Sequence, residues 1–223
     1  MALFANDRAV EREAMIRRQL IARGIDEARI IDAFRAIPRE EFIGREYRAL
    51  AYGDHPLPIE AEQTISQPYI VALMIEAAEI KPGDQVLEVG AGSGYAAAVI
   101  GQIAAHVVAI ERQAELVPIA RERMNRLGIR NVEIVEGDGS LGWPAKAPFD
   151  AILAAASGSH VPQPLLDQLA PGGRLVMPVG EARSIQELVK TTRHADGTLT
   201  RDTLGAVRFV PLIGQEGWSD AGR

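Results

Sequence analysis

The chain has 223 residues, a formal net charge of −6 and no cysteine. That length fits one large domain or a core with additions, and the missing cysteines exclude disulfides, thiol catalysis and thiolate metal sites. The acidic balance argues against nucleic acid or an anionic membrane as partner, because phosphate binding needs clustered basic charge. Residues 1–18 are charged and lack the apolar centre of a signal peptide. No run approaches the ~18 apolar residues that span a bilayer. The expectation is a cytoplasmic monomer.

In chain order, residues 7–22 place Met15, Ile16, Leu20 and Ile21 at helical spacing, with Asn6 or Asp7 as N-cap and Gly24 as stop. Asp26 is the expected cap of a second short helix carrying Ile30, Ile31 and Phe34 and ending before Pro38. Residues 39–62 are irregular, with Gly53, Pro56 and Pro58. Residues 68–78 form a third helix with Pro68 in its first turn. Residues 1–80 therefore read as a helical cap and loop packed on a core at 81–223, the whole forming one compact unit.

From Gln85 the pattern alternates. Strands at 85–89, 106–110, 132–135, 149–155 and 174–178 are separated by helices at 94–104, 113–127 and 163–169, or by a loop carrying Gly137, Asp138 and Gly139. This order builds a parallel sheet with helices on both faces. Residues 185–194 and 204–212 read as strands joined near Asp196-Gly197, a hairpin signal. The fold class is α/β: a mainly parallel sheet ending in an antiparallel hairpin.

The stretch richest in chemistry is Gln85 to Gly94, an apolar strand that ends in an acid and three glycines. Gly90, Gly92 and Gly94 suit a turn where backbone bends sharply or approaches a ligand, and Ser93 lies among them. The dinucleotide fingerprint needs its third glycine one place later, where Tyr95 stands. A phosphate loop needs Gly-Lys-Ser or Gly-Lys-Thr, which the chain lacks. Glu88, just before the turn, would repel a pyrophosphate but attract an ammonium group. Glu111 closes the next strand, where a carboxylate can hold both ribose hydroxyls. Asp138, beside Gly139, follows the third strand and suits an adenine amino group. Acids at three successive strand ends, where open sheets bind ligands, favour S-adenosylmethionine over NAD. His55, His106, His160 and His194 have no metal-ligand spacing, so no metal is expected.

With these residues in hand, the chain resembles the protein-L-isoaspartate O-methyltransferases over nearly its whole length. Thr64-Ile65-Ser66-Gln67-Pro68 looks like that family's hallmark segment, and Val86 to Tyr95 like its cofactor turn. Gly137-Asp138-Gly139, Pro171-Gly172-Gly173-Arg174-Leu175 and Val207-Arg208-Phe209-Val210-Pro211-Leu212 match further segments. The turn is common to many methyltransferases; the hallmark segment together with the C-terminal one is specific.

The resemblance implies a Rossmann-like methyltransferase fold. It implies methyl transfer from S-adenosylmethionine, leaving S-adenosylhomocysteine, to the α-carboxylate of L-isoaspartyl residues in damaged proteins. The ester then collapses to a succinimide whose hydrolysis returns some aspartate. Ser66 matches the serine treated as catalytic, Thr64 and Ile65 form its lip, and Val207 and Arg208 lie on a strand whose main chain offers itself to an extended peptide.

Two departures stand out. Glu60-Ala61-Glu62 replaces a segment with glycine on both sides of one residue. A glutamate held at positive φ there would cost ~1–2 kcal/mol, and two carboxylates would sit near an anionic acceptor. Ser157-Gly158-Ser159-His160 predicts a looser loop beside the cofactor, with His160 exposed. Glu60 and Glu62 leave open a carboxyl methyltransferase for another acceptor and a non-catalytic S-adenosylmethionine-binding protein.

Overall fold

Short β-branched runs bounded by glycine or charge make the sheet. The computed structural model describes residues 8–219. A two-stranded ribbon pairs β1 (Leu57–Pro58) antiparallel with β2 (Thr64–Ile65). The main sheet holds β3 (Gln85–Val89), β4 (His106–Glu111), β5 (Val132–Glu136), β6 (Phe149–Ala154), β7 (Leu169–Val179), β8 (Gln186–Arg193) and β9 (Leu199–Val207). Their spatial order is β5-β4-β3-β6-β7-β8-β9. The first five are parallel, and β8 and β9 follow antiparallel. The order reverses between β3 and β6, and at such a switch point ligands bind beyond the strand C-termini.

Period-two alternation divides the sheet into two cores. Val86, Val107, Ala109, Ala151, Leu153 and Val176 pack on one face beneath α3 (Pro68–Ala77), α4 (Tyr95–Gly101) and α5 (Leu116–Arg126). The N-terminal helices α1 (Ala9–Met15) and α2 (Ala28–Ala36) join this same cluster through Met15, Ile30 and Phe34. Leu87, Val89, Val108, Ile152 and Leu175 pack on the other face with α6 (Gln163–Asp167). Arg174 of β7 donates to the carbonyl of Ala78 at 2.7 Å and pairs with Asp84 at 3.0 Å. It thereby satisfies a carbonyl just past α3 and anchors the helix that follows the Ser66 segment.

Several local expectations need correction. Residues 7–22 do not form one α-helix: α1 passes into a π-helical turn at Ile16–Leu20 and a 3-10 turn ending at Gly24, φ +92°. The expected caps Asn6 and Asp7 lie outside the described residues. Asp26 does not cap α2; Glu27 occupies that place and makes no side-chain cap. The strand expected at 174–178 begins at Leu169, with a register shift opposite Phe149–Ala151. The last strand is Leu199–Val207 instead of 204–212. Beyond Val207 the chain leaves the sheet: the Phe209 N–H donates to the Gln186 side chain at 2.9 Å, and Pro211 has no N–H for a ladder. The turn at Asp196-Gly197 lies where the dipeptide signals it, with the Gly197 N–H on the carbonyl of His194 at 2.9 Å.

Candidate active site

Strand alternation aims Glu88 at its environment. It shares parity with Val86, so its side chain points under α3 and α4, where it is 2% exposed. Burial pushes its carboxyl well above the usual carboxylate range, the nearby Glu111 adds to this, and a backbone hydrogen bond from Ala97 opposes it. Its Oε2 is buried and has no hydrogen-bond partner. A narrow cavity of about 20 Å³ is lined by Glu88, Ser66, Met74, Ala96, Leu153 and Ala155. Ser66 and Glu88, 22 positions apart in the chain, therefore face one space.

The glycine turn is built by backbone requirements. Gly90, Gly92 and Gly94 have φ of +88°, +54° and +86°, which L side chains rarely adopt. At Gly94 a Cβ would also lie 2.8 Å from Met124 Cε of α5. Glu111 holds the turn from the neighbouring strand: its carboxylate accepts from the N–H groups of Gly92 and Gln113, each at 2.8 Å. Each of those oxygens keeps acceptor capacity for a further donor. Ser93 is 3% exposed, and its hydroxyl faces the Tyr95 N–H at 3.3 Å. Its hydroxyl therefore shapes the turn.

Asp138 and Gly139 close the third side. A Cβ on Gly139 would lie 2.5 Å from Val89 Cγ1, so glycine allows this loop to reach the end of β3. Asp138 Oδ1 accepts from the Ser140 N–H and hydroxyl at 2.9 and 2.7 Å, and Oδ2 accepts from the Gln215 N–H at 2.7 Å. The C-terminal segment thus lies across this carboxylate. It is pinned further by Trp218 Nε1 donating to the Ser157 carbonyl at 3.0 Å. The loop at 157–160 is correspondingly tighter than expected. Ser157 is fully buried, its N–H donates to Val210 at 2.8 Å, and Gly158 bonds to both Pro178 and Gly180. His160 is exposed, as expected.

In the loop before Ser66, the expected glutamate at positive φ is Glu62, and what sequence reasoning misses is the pairing of Glu60. Ala61 and Glu62 both have positive φ, 58° and 56°, and the Gln63 N–H returns to the Glu60 carbonyl at 3.2 Å. Backbone strain therefore falls on Ala61 and Glu62, and Glu60 escapes it. Glu60 is paired: its Oε1 lies 2.8 Å from Arg123 Nη2. Burial lowers the Arg123 guanidinium pKa and Glu60 opposes that shift. The sequence carries a signal for Arg123, since it sits on the apolar face of α5 with Val117, Ala120 and Met124, and a charge in such a register calls for a partner. On β2 Thr64 is exposed and Ile65 buried. Ser66 precedes α3 without capping it; the N-cap position is Gln67, which makes no side-chain cap. Val207 ends β9 and is buried, while Arg208 is exposed. The structure gathers Ser66, Glu88, the glycine turn and Glu111 on the α3–α4 side of the sheet ends.

Other features lie apart from this corner. A wider cleft of about 250 Å³ between α1 and residues 49–53 touches none of these site residues. Among the described residues no group of three or more His, Asp or Glu side chains is disposed to hold a metal. Nor is any helix there long and apolar enough to cross a membrane.

Comparison with known proteins decides the family. The model of the protein-L-isoaspartate(D-aspartate) O-methyltransferase family matches residues 10–217. The chain belongs to that family. A protein-L-isoaspartate O-methyltransferase of Rhodopseudomonas palustris is 54% identical over 204 residues, covering 92% of this chain and 94% of the relative. One of Methanoculleus marisnigri is 50% identical over 208 residues, covering 93% and 94%. A solved protein-L-isoaspartate O-methyltransferase superposes with a TM-score of 0.84 at 32% identity, over 92% of this chain and 67% of the other. A Plasmodium falciparum structure, described as a member of the same family in complex with S-adenosyl-L-homocysteine, gives 0.78 at 28% identity over 93% and 99%. The protein-L-isoaspartate O-methyltransferase family thus accounts for the loop bearing Ser66 as well as the cofactor turn, because the match spans both.

Proposed function

We propose that the chain moves the methyl group of S-adenosylmethionine to the α-carboxylate of L-isoaspartyl residues in damaged proteins and peptides. One observation carries the reading: the family match at 10–217 includes both the hallmark loop and the glycine turn, and the cavity lined by Ser66 is also lined by Glu88 and Ala96, which flank that turn. The donor set fits the methyl donor. A buried carboxyl oxygen without a partner suits an ammonium group, Glu111 retains acceptor capacity for ribose hydroxyls, and Gly90 and Gly92 leave room for close approach while Gly94 lets the turn pack on Met124 of α5. Asp138 and Gly139 form the adenine side, with Asp138 exchanging or sharing its bond to Gln215.

The bound donor supplies an electrophilic methyl on a sulfonium. The chain's work is placement. An acceptor carboxyl of reference pKa ~3.9 is already ionised at neutral pH, so no residue need take its proton. Ser66 donates its hydroxyl hydrogen to that carboxylate and fixes the line of attack, Thr64 and Ile65 form the lip, and orientation of this kind can supply ~7–11 kcal/mol. Val207 and Arg208, at the end of the exposed edge strand, offer main chain and a cation to the acceptor peptide. Glu60 is neutralised by Arg123, which weakens the case for a different acceptor. We further propose a cytoplasmic monomer, whose net charge of −6 favours solution over nucleic acid or anionic surfaces.

Labelled S-adenosylmethionine with matched isoaspartyl and aspartyl peptides tests this. Label should enter the isoaspartyl peptide alone, as a base-labile ester. Ser66→Ala removes a hydrogen bond to a charged group worth ~1.5–3 kcal/mol and should slow turnover by about 10- to 100-fold, with little change in S-adenosylhomocysteine affinity. Cofactor binding without transfer to the isoaspartyl peptide would refute the acceptor assignment.

A further inference from the structure

We propose that the Glu60–Arg123 ion pair is a latch through which occupancy of the glycine turn sets the position of the Ser66 loop, making Arg123 a positioning residue. Arg123 touches both parties. Its Nη2 lies 2.8 Å from Glu60 Oε1, and its Nη1 lies 3.4 Å from the carbonyl of Ser93, inside the turn between Gly92 and Gly94. The next residue on α5, Met124, is the one a Cβ on Gly94 would strike. Two successive residues of α5 therefore bear on the turn.

The other side of the connection is equally direct. The loop's backbone pairing is short, a ribbon of Leu57 with Ile65 and Pro58 with Thr64. Ile59 Cδ1 lies 3.6 Å from where a Gly92 Cβ would stand. The Ile59 N–H donates to Gln63 and the Gln63 N–H to Glu60, so displacing Glu60 displaces the turn leading into Thr64, Ile65 and Ser66. A guanidinium whose side chain is only 7% exposed is costly to leave unpaired, so Arg123 and Glu60 move together. A ligand that shifts Gly92–Gly94 shifts Ser93, then Arg123, then the loop. The effect on acceptor binding rests on the proposed methyl transfer; the mechanical coupling needs only the methyl donor's product.

Amide hydrogen exchange of the intact chain with and without S-adenosylhomocysteine is the test. Its binding should slow exchange at residues 59–66 by about fivefold or more in the parent protein and by less than about twofold in Glu60→Gln. The doubly apolar variant Glu60→Leu/Arg123→Met removes the pair without leaving a buried charge, and it should also lack the protection. Thermal melts report whether each variant is folded. With acceptor peptide, Glu60→Gln should raise KM more than it lowers kcat. Equal protection in the parent and in either folded variant would overturn the latch. Protection without isoaspartyl methylation would remove the acceptor assignment and leave the latch standing; failure of S-adenosylhomocysteine to bind would overturn both.

Discussion

Glu88 is a carboxyl placed where water does not reach it, and its energetics follow from that. Burial first, then the neighbouring Glu111, raise its pKa above the ordinary 4.5. Above that pH the unfolded chain ionises the group while the folded chain retains its proton, so the folded state binds more protons. The stability Glu88 contributes is therefore fully present below the unfolded pKa and is lost as pH rises through the raised folded value. Glu88→Gln keeps the shape and removes the ionisation. Melts from about pH 5 to about pH 8 should show a flatter stability profile for this variant and a higher Tm at the alkaline end. An ammonium group brought against Glu88 lowers that pKa again and ionises it, so Glu88→Gln should lower the affinity for S-adenosylhomocysteine about 10-fold or more. An unchanged Kd by calorimetry would mean that the unpartnered oxygen meets no ammonium group.

At the scale of elements, the loop before Ser66 is the strained component. Tight turns with positive φ at both central residues favour Asn-Gly or Gly-Gly, yet here the pair is Ala61-Glu62. A non-glycine residue in that region costs ~1–2 kcal/mol, and glycine's extra freedom in the unfolded chain returns ~0.5–1 kcal/mol of any gain. Glu62→Gly should then stabilise the protein by up to about 1 kcal/mol in urea unfolding. Because the Glu62 side chain is exposed, turnover should change little. A lower midpoint would show that Glu62 makes a contact the turn depends on. The opposite rim is held differently: residues 210–218 are bonded to Ser157, Asp138 and Ser140, so the C-terminal strap rigidifies the Asp138 side, while the loop before Ser66 is held by the short β1–β2 ribbon and the Glu60–Arg123 pair.

For the whole molecule, the legible parts are those where one local signal dominates. The strand Gln85–Val89 and its glycine turn are read to the residue, because apolar run, acid and glycines coincide. Ser66 and the cofactor turn are each recognisable alone, but that they share a cavity depends on the parity of β3 and the placement of α3, which no local pattern states. Leu199–Val207 escapes notice because an edge strand exposed along nearly all its length has no alternation, whereas the apolar residues near Leu212 belong to a strap crossing the other core. Arg123 and Glu60 are 63 positions apart, so their pairing is a property of the fold. Topology thus brings Ser66 and Glu88 to one cavity beside the corner at Gly90–Gly94. The most direct measurement is repair itself: an isoaspartyl peptide incubated with the protein through repeated cycles and separated from its aspartyl isomer by chromatography. The isoaspartyl form should be depleted and the aspartyl form should accumulate, only when S-adenosylmethionine is present and only slowly with Ser66→Ala; an isomer ratio that stays constant with active cofactor binding would contradict the assignment.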